Sequence, residues 1–214
     1  MYIETRPIYK LSQYILTITY KILFGLKVLG RENVPLSGPF ILASNHQSWF
    51  DPPMIGAGCP REIHYAAKKE LFNIIILNRI IKYYNSIPIR RKGFERQALV
   101  KLGKVLDSGN GMIIFPEGHR FLDEKLHPPK AGVGMLAIRH RVPIIPVYVN
   151  GSARLFFQVF KRRLTLKYGK AITPEEISKF IVSGKKQHKA LTDKVMRHIA
   201  ETGGVEPPES CTNA

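Results

Sequence analysis

A chain of 214 residues with 44% hydrophobic content suits one domain, long enough to bury a sizeable core. The 33 Lys+Arg against 16 Asp+Glu give a formal net charge of +17. That excludes an acidic or balanced surface and predicts attraction to something anionic: nucleic acid, an acidic lipid surface or an acidic carrier protein. Two cysteines, Cys59 and Cys211, make neither a disulfide framework nor a metal spacing, which points to a reducing compartment without structural disulfides.

In chain order, the amino terminus has no short apolar segment followed by a small-residue cleavage site, so no secretory signal is expected. Instead Ile8, Leu11, Ile15, Ile18, Ile22, Leu26 and Leu29 recur at three and four residues, one face of a helix across 1–29. Lys10, Gln13, Thr17 and Lys21 form the opposite stripe. A spanning helix needs about 18 consecutive apolar residues, and these runs are shorter. The expectation is an amphipathic helix lying in a membrane interface, its lysines reaching the headgroups. The competing reading is a helix that packs on the domain. Residues 71–84, where Ile74, Ile75, Leu77, Ile80 and Ile81 interleave with Arg79 and Lys82, are a second candidate for such a surface or for a core helix.

The remainder, 30–202, alternates strands and helices, which predicts an α/β domain with a largely parallel or mixed sheet flanked by helices. Strands are expected at 40–44, 63–66, 86–89, 111–115, 144–149 and 164–168. Helices are expected at 95–107, stopped by Gly109, at 132–140 and over 185–200. Thr173-Pro174-Glu175-Glu176 reads as a capping box with proline in the first turn. The Gly/Pro/Glu-rich tail 203–214 is expected to be disordered.

Two of the strands empty into ionisable side chains, where open α/β folds build their sites. After 40–44 comes Asn45-His46-Gln47-Ser48-Trp49-Phe50-Asp51; after 111–115 comes Pro116-Glu117-Gly118-His119-Arg120. Imidazole exchanges protons near neutral pH, so His46 is the natural base for a hydroxyl, with Asp51 on the other ring nitrogen to fix the tautomer. Each has a plainer reading, His46 as a polar residue at a strand end and Asp51-Pro52-Pro53 as a helix start with aspartate as N-cap.

Four blocks in order carry a resemblance: His46 with Asp51, Ile87-Pro88-Ile89-Arg90-Arg91, Phe115-Pro116-Glu117-Gly118-His119-Arg120, and Val142-Pro143-Ile144-Ile145-Pro146-Val147. Across roughly 30–150 the chain resembles the glycerolipid acyltransferases, with its closest likeness to the bacterial 1-acyl-glycerol-3-phosphate acyltransferases. The resemblance implies transfer of a fatty acyl chain from acyl-CoA or acyl-carrier protein to the free hydroxyl of a lysophospholipid, with no metal or bound cofactor. It implies His46 and Asp51 as catalytic residues. Arg91 and Arg120 match arginines suited to a phosphorylated acceptor, since a guanidinium fork pairs bidentately with phosphate. Glu117 would accept hydrogen bonds from the acceptor's glycerol or orient an arginine, Gly118 would permit a tight backbone approach, and Lys130 of Lys130-Ala131-Gly132 would add a phosphate contact.

The chain departs from the family pattern at His119 and Phe121, where threonine and serine are common. It departs also at Pro129, where an aromatic is usual, at Asn85, where a glycine often stands, and at Arg90, at a site often acidic. Several of these would line the headgroup site. His119 adds an ionisable group there, or is simply an exposed loop histidine. The expected partners are an anionic membrane surface at the cytoplasmic face, a lysophospholipid and the acyl donor. No nucleic-acid motif is apparent. The alternatives are a relative acting on another lysolipid or an acylated amino-acid lipid, and a non-catalytic basic membrane-binding module.

Overall fold

The computed structural model describes residues 6–89, 96–155, 159, 164–181 and 186–212. Pro7 opens the first helix, α1 (Pro7–Phe24), where its missing N–H costs nothing, and Gly25 closes it at φ 62°. There follow β1 (Lys27–Leu29), β2 (Phe40–Ser44), α2 (Asp51–Gly58), β3 (Ile63–Lys68), α3 (Ile75–Tyr83), β4 (Ser86–Ile89) and α4 (Arg96–Asp107). Then come β5 (Gly111–Ile114), α5 (Gly132–His140), β6 (Ile144–Asn150), β7 (Thr165–Tyr168), α6 (Pro174–Ser178) and α7 (Gln187–Gly203). The Thr173 capping box forms as read, with side chain and backbone of Thr173 and Glu176 bonded reciprocally.

The seven strands form one sheet in the order β1-β7-β6-β2-β5-β3-β4. All neighbours are parallel except β6 and β7. The α/β expectation therefore holds. Because β2, β5 and β6 are covered on both faces, they read as unbroken apolar runs instead of alternating ones. Ile41, Ala43, Met112 and Ile114 face a core with α4, α5 and α7; Phe40, Leu42 and Ile113 face one with α1 and α2. From β2 the chain crosses to β3 through α2 on one face. From β5 it crosses to β6 through α5 on the other. The loops leaving β2 and β5 thus diverge at a topological switch point, the crevice where such sheets take ligands.

Both ends of this strand pair are pinned. At the lower end buried Arg61 donates to the carbonyls of Pro35, Gly38 and Gly109 at 3.0, 2.8 and 3.4 Å. At the upper end the Asn45 side chain replaces a ladder pair, donating to the Val149 carbonyl at 2.9 Å and accepting from its N–H at 2.8 Å.

Three expectations need correction. The helix expected over 1–29 ends at Phe24, and Leu26 and Leu29 lie beyond it: Lys27–Leu29 is an edge strand on β7. Aspartate is not the N-cap of α2. Asp51 is its first residue and its carboxylate turns back to the preceding loop, because Pro52 and Pro53 have no N–H to offer. The tail is ordered through its described residues to 212. Pro208 and Cys211 are buried, Cys211 plugs the core beneath α7, and Arg197 donates to the Cys211 carbonyl at 2.7 Å.

Gln13 and Thr17 of the polar stripe of α1 face inward beside buried Tyr9, Tyr20 and Phe24, while Lys10 and Lys21 stay exposed. Gln13 donates to the carbonyls of Gly56 and Cys59 at 2.8 and 3.0 Å, and Thr17 to that of Ala57 at 3.1 Å. Ile8, Leu11, Tyr14, Ile15 and Ile22 are left exposed, as are Ile74, Ile75, Ile76 and Ile80 at α3. Arg6 ties the two helices: it binds Glu62 through two nitrogens and donates to the Tyr83 carbonyl at 2.7 Å and to Asn85 at 3.0 Å. Asn85 sits at φ 57°, the left-handed conformation that glycine or asparagine adopts with least strain.

Replacing Asn45 by alanine leaves both backbone groups of buried Val149 unpaired. We expect a loss of about 2–6 kcal/mol, from ~1–3 for each such group, read as a lower urea midpoint at unchanged m-value. An unchanged midpoint contradicts the role given to this side chain.

Candidate active site

At the upper end of β2 the loop turns sharply and the Asp51 carboxylate caps the turn. Its Oδ2 accepts the N–H groups of Gln47 and Ser48, both at 2.7 Å, and meets His46 Nδ1 at 2.9 Å. Asp51 is fully buried. An ionised carboxylate only accepts, so Nδ1 carries the ring proton and Nε2 keeps its lone pair. The imidazole also lies against the Phe115 ring, centroids 4.0 Å apart and planes 18° from parallel. One edge and one face of the ring are thereby held, and the other edge remains for chemistry.

The His46 backbone is fixed by the loop after β5. Its N–H donates to Glu117 Oε2 at 3.0 Å, and its carbonyl accepts from the Phe121 N–H at 2.9 Å. Glu117 Oε1 accepts from the His127 N–H at 3.1 Å. Both oxygens are committed to backbone groups and the residue is 3% exposed. This corrects the expectation that Glu117 meets the acceptor's glycerol or an arginine: it joins three segments of the site from below. Burial pushes its carboxyl from the ordinary 4.5 up to about 7, with the His127 and His46 N–H groups opposing the rise.

An open cleft of about 130 Å³ is lined by His46, Trp49, His119 and Arg120. The Arg120 guanidinium lies over the Trp49 ring, 4.3 Å from its centroid, and no carboxylate pairs with it among the described residues. A stacked guanidinium without a counter-ion is suited to an incoming anion. Gly118 stands at φ 71°, and the Lys130 side chain lies across it. Lys130 Nζ reaches His119 Nε2 at 3.2 Å. Behind them Phe121 stacks on His127, centroids 3.6 Å apart, and His127 pairs with Asp123 at 2.9 Å.

Of the residues singled out in the sequence, His46, Asp51, Glu117, Gly118, Arg120 and Lys130 thus converge on one end of the β2–β5 pair, and Arg91 lies outside the described residues. Sequence reasoning missed Trp49 and Phe115 as ring platforms, and Asn45 and the Gln47 and Ser48 amides as supports. The aromatic residues inside the two motifs were the available signal for the platforms. Nothing in a sequence marks a backbone N–H.

The raised Glu117 pKa has a sign. In the unfolded chain the carboxyl ionises near 4.5; in the folded chain it holds its proton until about 7. Its stabilising contribution is full below 4.5 and is lost as pH rises through 7, up to roughly 3 kcal/mol. Urea midpoints from pH 4.5 to 8 are expected to show this slope in the wild type and lack it in Glu117→Gln. Parallel profiles contradict it.

The acyltransferase family model matches residues 25–150, more than half of the chain. The 1-acyl-sn-glycerol-3-phosphate acyltransferase of Bacillus subtilis (strain 168) is 30% identical over 161 residues, 74% of this chain and 80% of that protein. Proteins of the same name from Streptococcus pneumoniae and Saccharomyces cerevisiae are each 30% identical, over 65% and 74% of this chain. The chain spans little more than half of those two, 52% and 56%. Among solved structures, the LPA acyltransferase PlsC from Thermotoga maritima superposes with a TM-score of 0.65 over 93% of this chain and 96% of that one. At 24% identity it shows a shared fold. The resemblance seen in the four sequence blocks is borne out: the chain belongs to the acyltransferase family.

Proposed function

We propose that the protein transfers a fatty acyl group from a thioester donor, acyl-CoA or acyl-carrier protein, to the free hydroxyl of 1-acyl-sn-glycerol-3-phosphate, giving phosphatidic acid for phospholipid synthesis. The observation that carries this reading is the His46–Asp51 couple opening into a cleft that also holds Arg120. His46 Nε2 takes the proton of the acceptor hydroxyl as its oxygen attacks the thioester carbonyl. Asp51 stabilises the imidazolium that forms, as a triad aspartate does. The tetrahedral intermediate collapses, the C–S bond breaks, and the departing thiolate receives the proton from the imidazolium. The acceptor supplies the nucleophile, so no acyl-enzyme is required. Arg120 binds the acceptor phosphate, Lys130 stands close by, and Arg91 is assigned to the same headgroup on the family pattern.

The lipid acceptor reaches this cleft from a membrane surface. Among the described residues no helix is long and apolar enough to cross a bilayer. The exposed isoleucine faces of α1 and α3 and the +17 charge support attachment to the surface of an anionic leaflet. The same charge suits the phosphates of CoA or an acidic carrier protein.

The deciding assay is transfer from labelled acyl-CoA and acyl-carrier protein to a panel of lysolipids. Phosphatidic acid formed by the wild type, with turnover about 10²–10⁴ lower in His46→Ala and Asp51→Asn at unchanged thermal stability, is the expected result. Near-wild-type rates in either variant contradict the assignment.

Membrane attachment is tested by substitution, since truncation at 29 also removes β1. Ile8→Asp, Leu11→Asp and Ile15→Asp together are expected to weaken sedimentation with anionic vesicles at least about tenfold, one buried aliphatic side chain being worth ~1.5–3 kcal/mol. Unchanged sedimentation transfers the anchoring role to α3 or to diffuse charge.

A further inference from the structure

His119 replaces the threonine common in the third block, and its surroundings give the replacement a purpose. An exposed lysine is ordinarily a mobile point charge on a flexible stem. Lys130 is held at three places. Its N–H donates to the Pro116 carbonyl at 2.9 Å. Its stem lies over Gly118, so that a Cβ there would come within 2.9 Å of both Cδ and Nζ. Its ammonium meets His119 Nε2 at 3.2 Å. An ammonium only donates, so His119 accepts through Nε2. His119 lines the same cleft as His46 and Arg120, which sets the tethered ammonium at the rim that Arg120 serves from within.

We propose that His119 is a positioning residue for headgroup selection: it holds the Lys130 ammonium at the cleft so that a phosphate monoester is bound between Lys130 and Arg120. The inference rests on the reading above that the acceptor is phosphorylated. Lysine has three N–H donors, so one can stay on His119 while the others turn to phosphate oxygens. The fork of Arg120 fixes the orientation of the anion, and the lysine adds charge. Gly118 belongs to the device, because any side chain at that position would displace the lysine stem.

Steady-state transfer to 1-acyl-sn-glycerol-3-phosphate and to uncharged 1-monoacylglycerol tests the idea in His119→Leu, His119→Gln, Lys130→Met and the His119→Leu/Lys130→Met pair. His119→Leu is expected to raise the KM for the phosphorylated acceptor about two- to fivefold, with a smaller effect on kcat and on the uncharged acceptor. His119→Gln, which retains an acceptor oxygen, restores most of the loss. Lys130→Met raises KM at least as far, and adding His119→Leu to it changes little, because His119 acts through the lysine. Calorimetric titration with glycerol 3-phosphate reads the same site without turnover, and the same order of weakening is expected. Effects that multiply in the double variant, an equal loss on the uncharged acceptor, or unchanged KM and affinity in His119→Leu overturn the proposal. So does failure of the wild type to bind glycerol 3-phosphate. If no lysolipid is acylated, the acyl-transfer reading falls, and the titration still decides the role of His119.

Discussion

The short tether between the His46 backbone and the Glu117 carboxylate is the constraint on which the site depends. β2 and β5 run parallel and in register from Phe40 and Gly111 to Ala43 and Ile114, so their loops leave the sheet side by side. They then part to opposite faces, one toward α2 and the other toward α5. Two diverging loops would not hold His46 and Arg120 in constant relation by packing alone. Glu117 closes the gap by accepting the N–H of His46, and the Phe121 N–H closes it again on the His46 carbonyl. Placing a carboxyl in so dry a position costs stability once it ionises, which its pKa near 7 expresses. Backbone amides committed to one buried acid are a rigid arrangement, and rigidity of this kind is what positioned general-base chemistry requires.

Two arginines at opposite ends of the same strand pair show how surroundings assign a task to one residue type. Arg61 is buried under the sheet and its guanidinium is taken up by backbone carbonyls and the Phe40 ring. It is a structural rivet. Arg120 has the Trp49 ring beneath it and an open cleft beside it. Stacking restrains the guanidinium without neutralising it, so the charge stays available to an anion. Sequence spacing alone does not separate these two roles. The separation comes from whether the chain folds carbonyls around the fork or leaves it facing solvent.

Much of the fold was legible because its signals are local. The apolar runs of β2, β4 and β5, the Thr173 capping box and Gly109 each name an element from its own residues. What was lost depends on distant partners. Lys27–Leu29 is a three-residue strand that exists only because β7 lies beside it, and its apolar residues continued the helical period of α1 too well to reveal the break at Gly25. The tail looked disordered by composition, yet Cys211 fills a place in the core beneath α7 that no local pattern announces. In the site, the pairing of His46 with Asp51 was readable from spacing, since five residues around one turn bring the two side chains together. Glu117 was misread because family likeness names a residue without saying which way it points. Asn85 shows the converse: its departure from glycine is explained by φ 57°, a backbone requirement both residues meet.

Helix α1 joins these arguments to the lipid. A helix stabilised in the usual way turns its apolar stripe to the core. Here α1 does so with Tyr20 and Phe24, and Gln13 and Thr17 add hydrogen bonds to the carbonyls around the end of α2, while a second aliphatic stripe of Ile8, Leu11, Ile15 and Ile22 faces outward. Docking through these residues holds the helix on the domain without consuming the outward stripe that a bilayer would cover. The partners chosen matter as well, because α2 is the helix that Asp51 begins. A helix α1 seated against a membrane would therefore be one helix away from the carboxylate that holds the His46 imidazole, and Trp49, just before that helix begins, carries the Arg120 guanidinium on its ring. The same short path links the surface where an acyl chain would reside to the nitrogen that would act on its headgroup end.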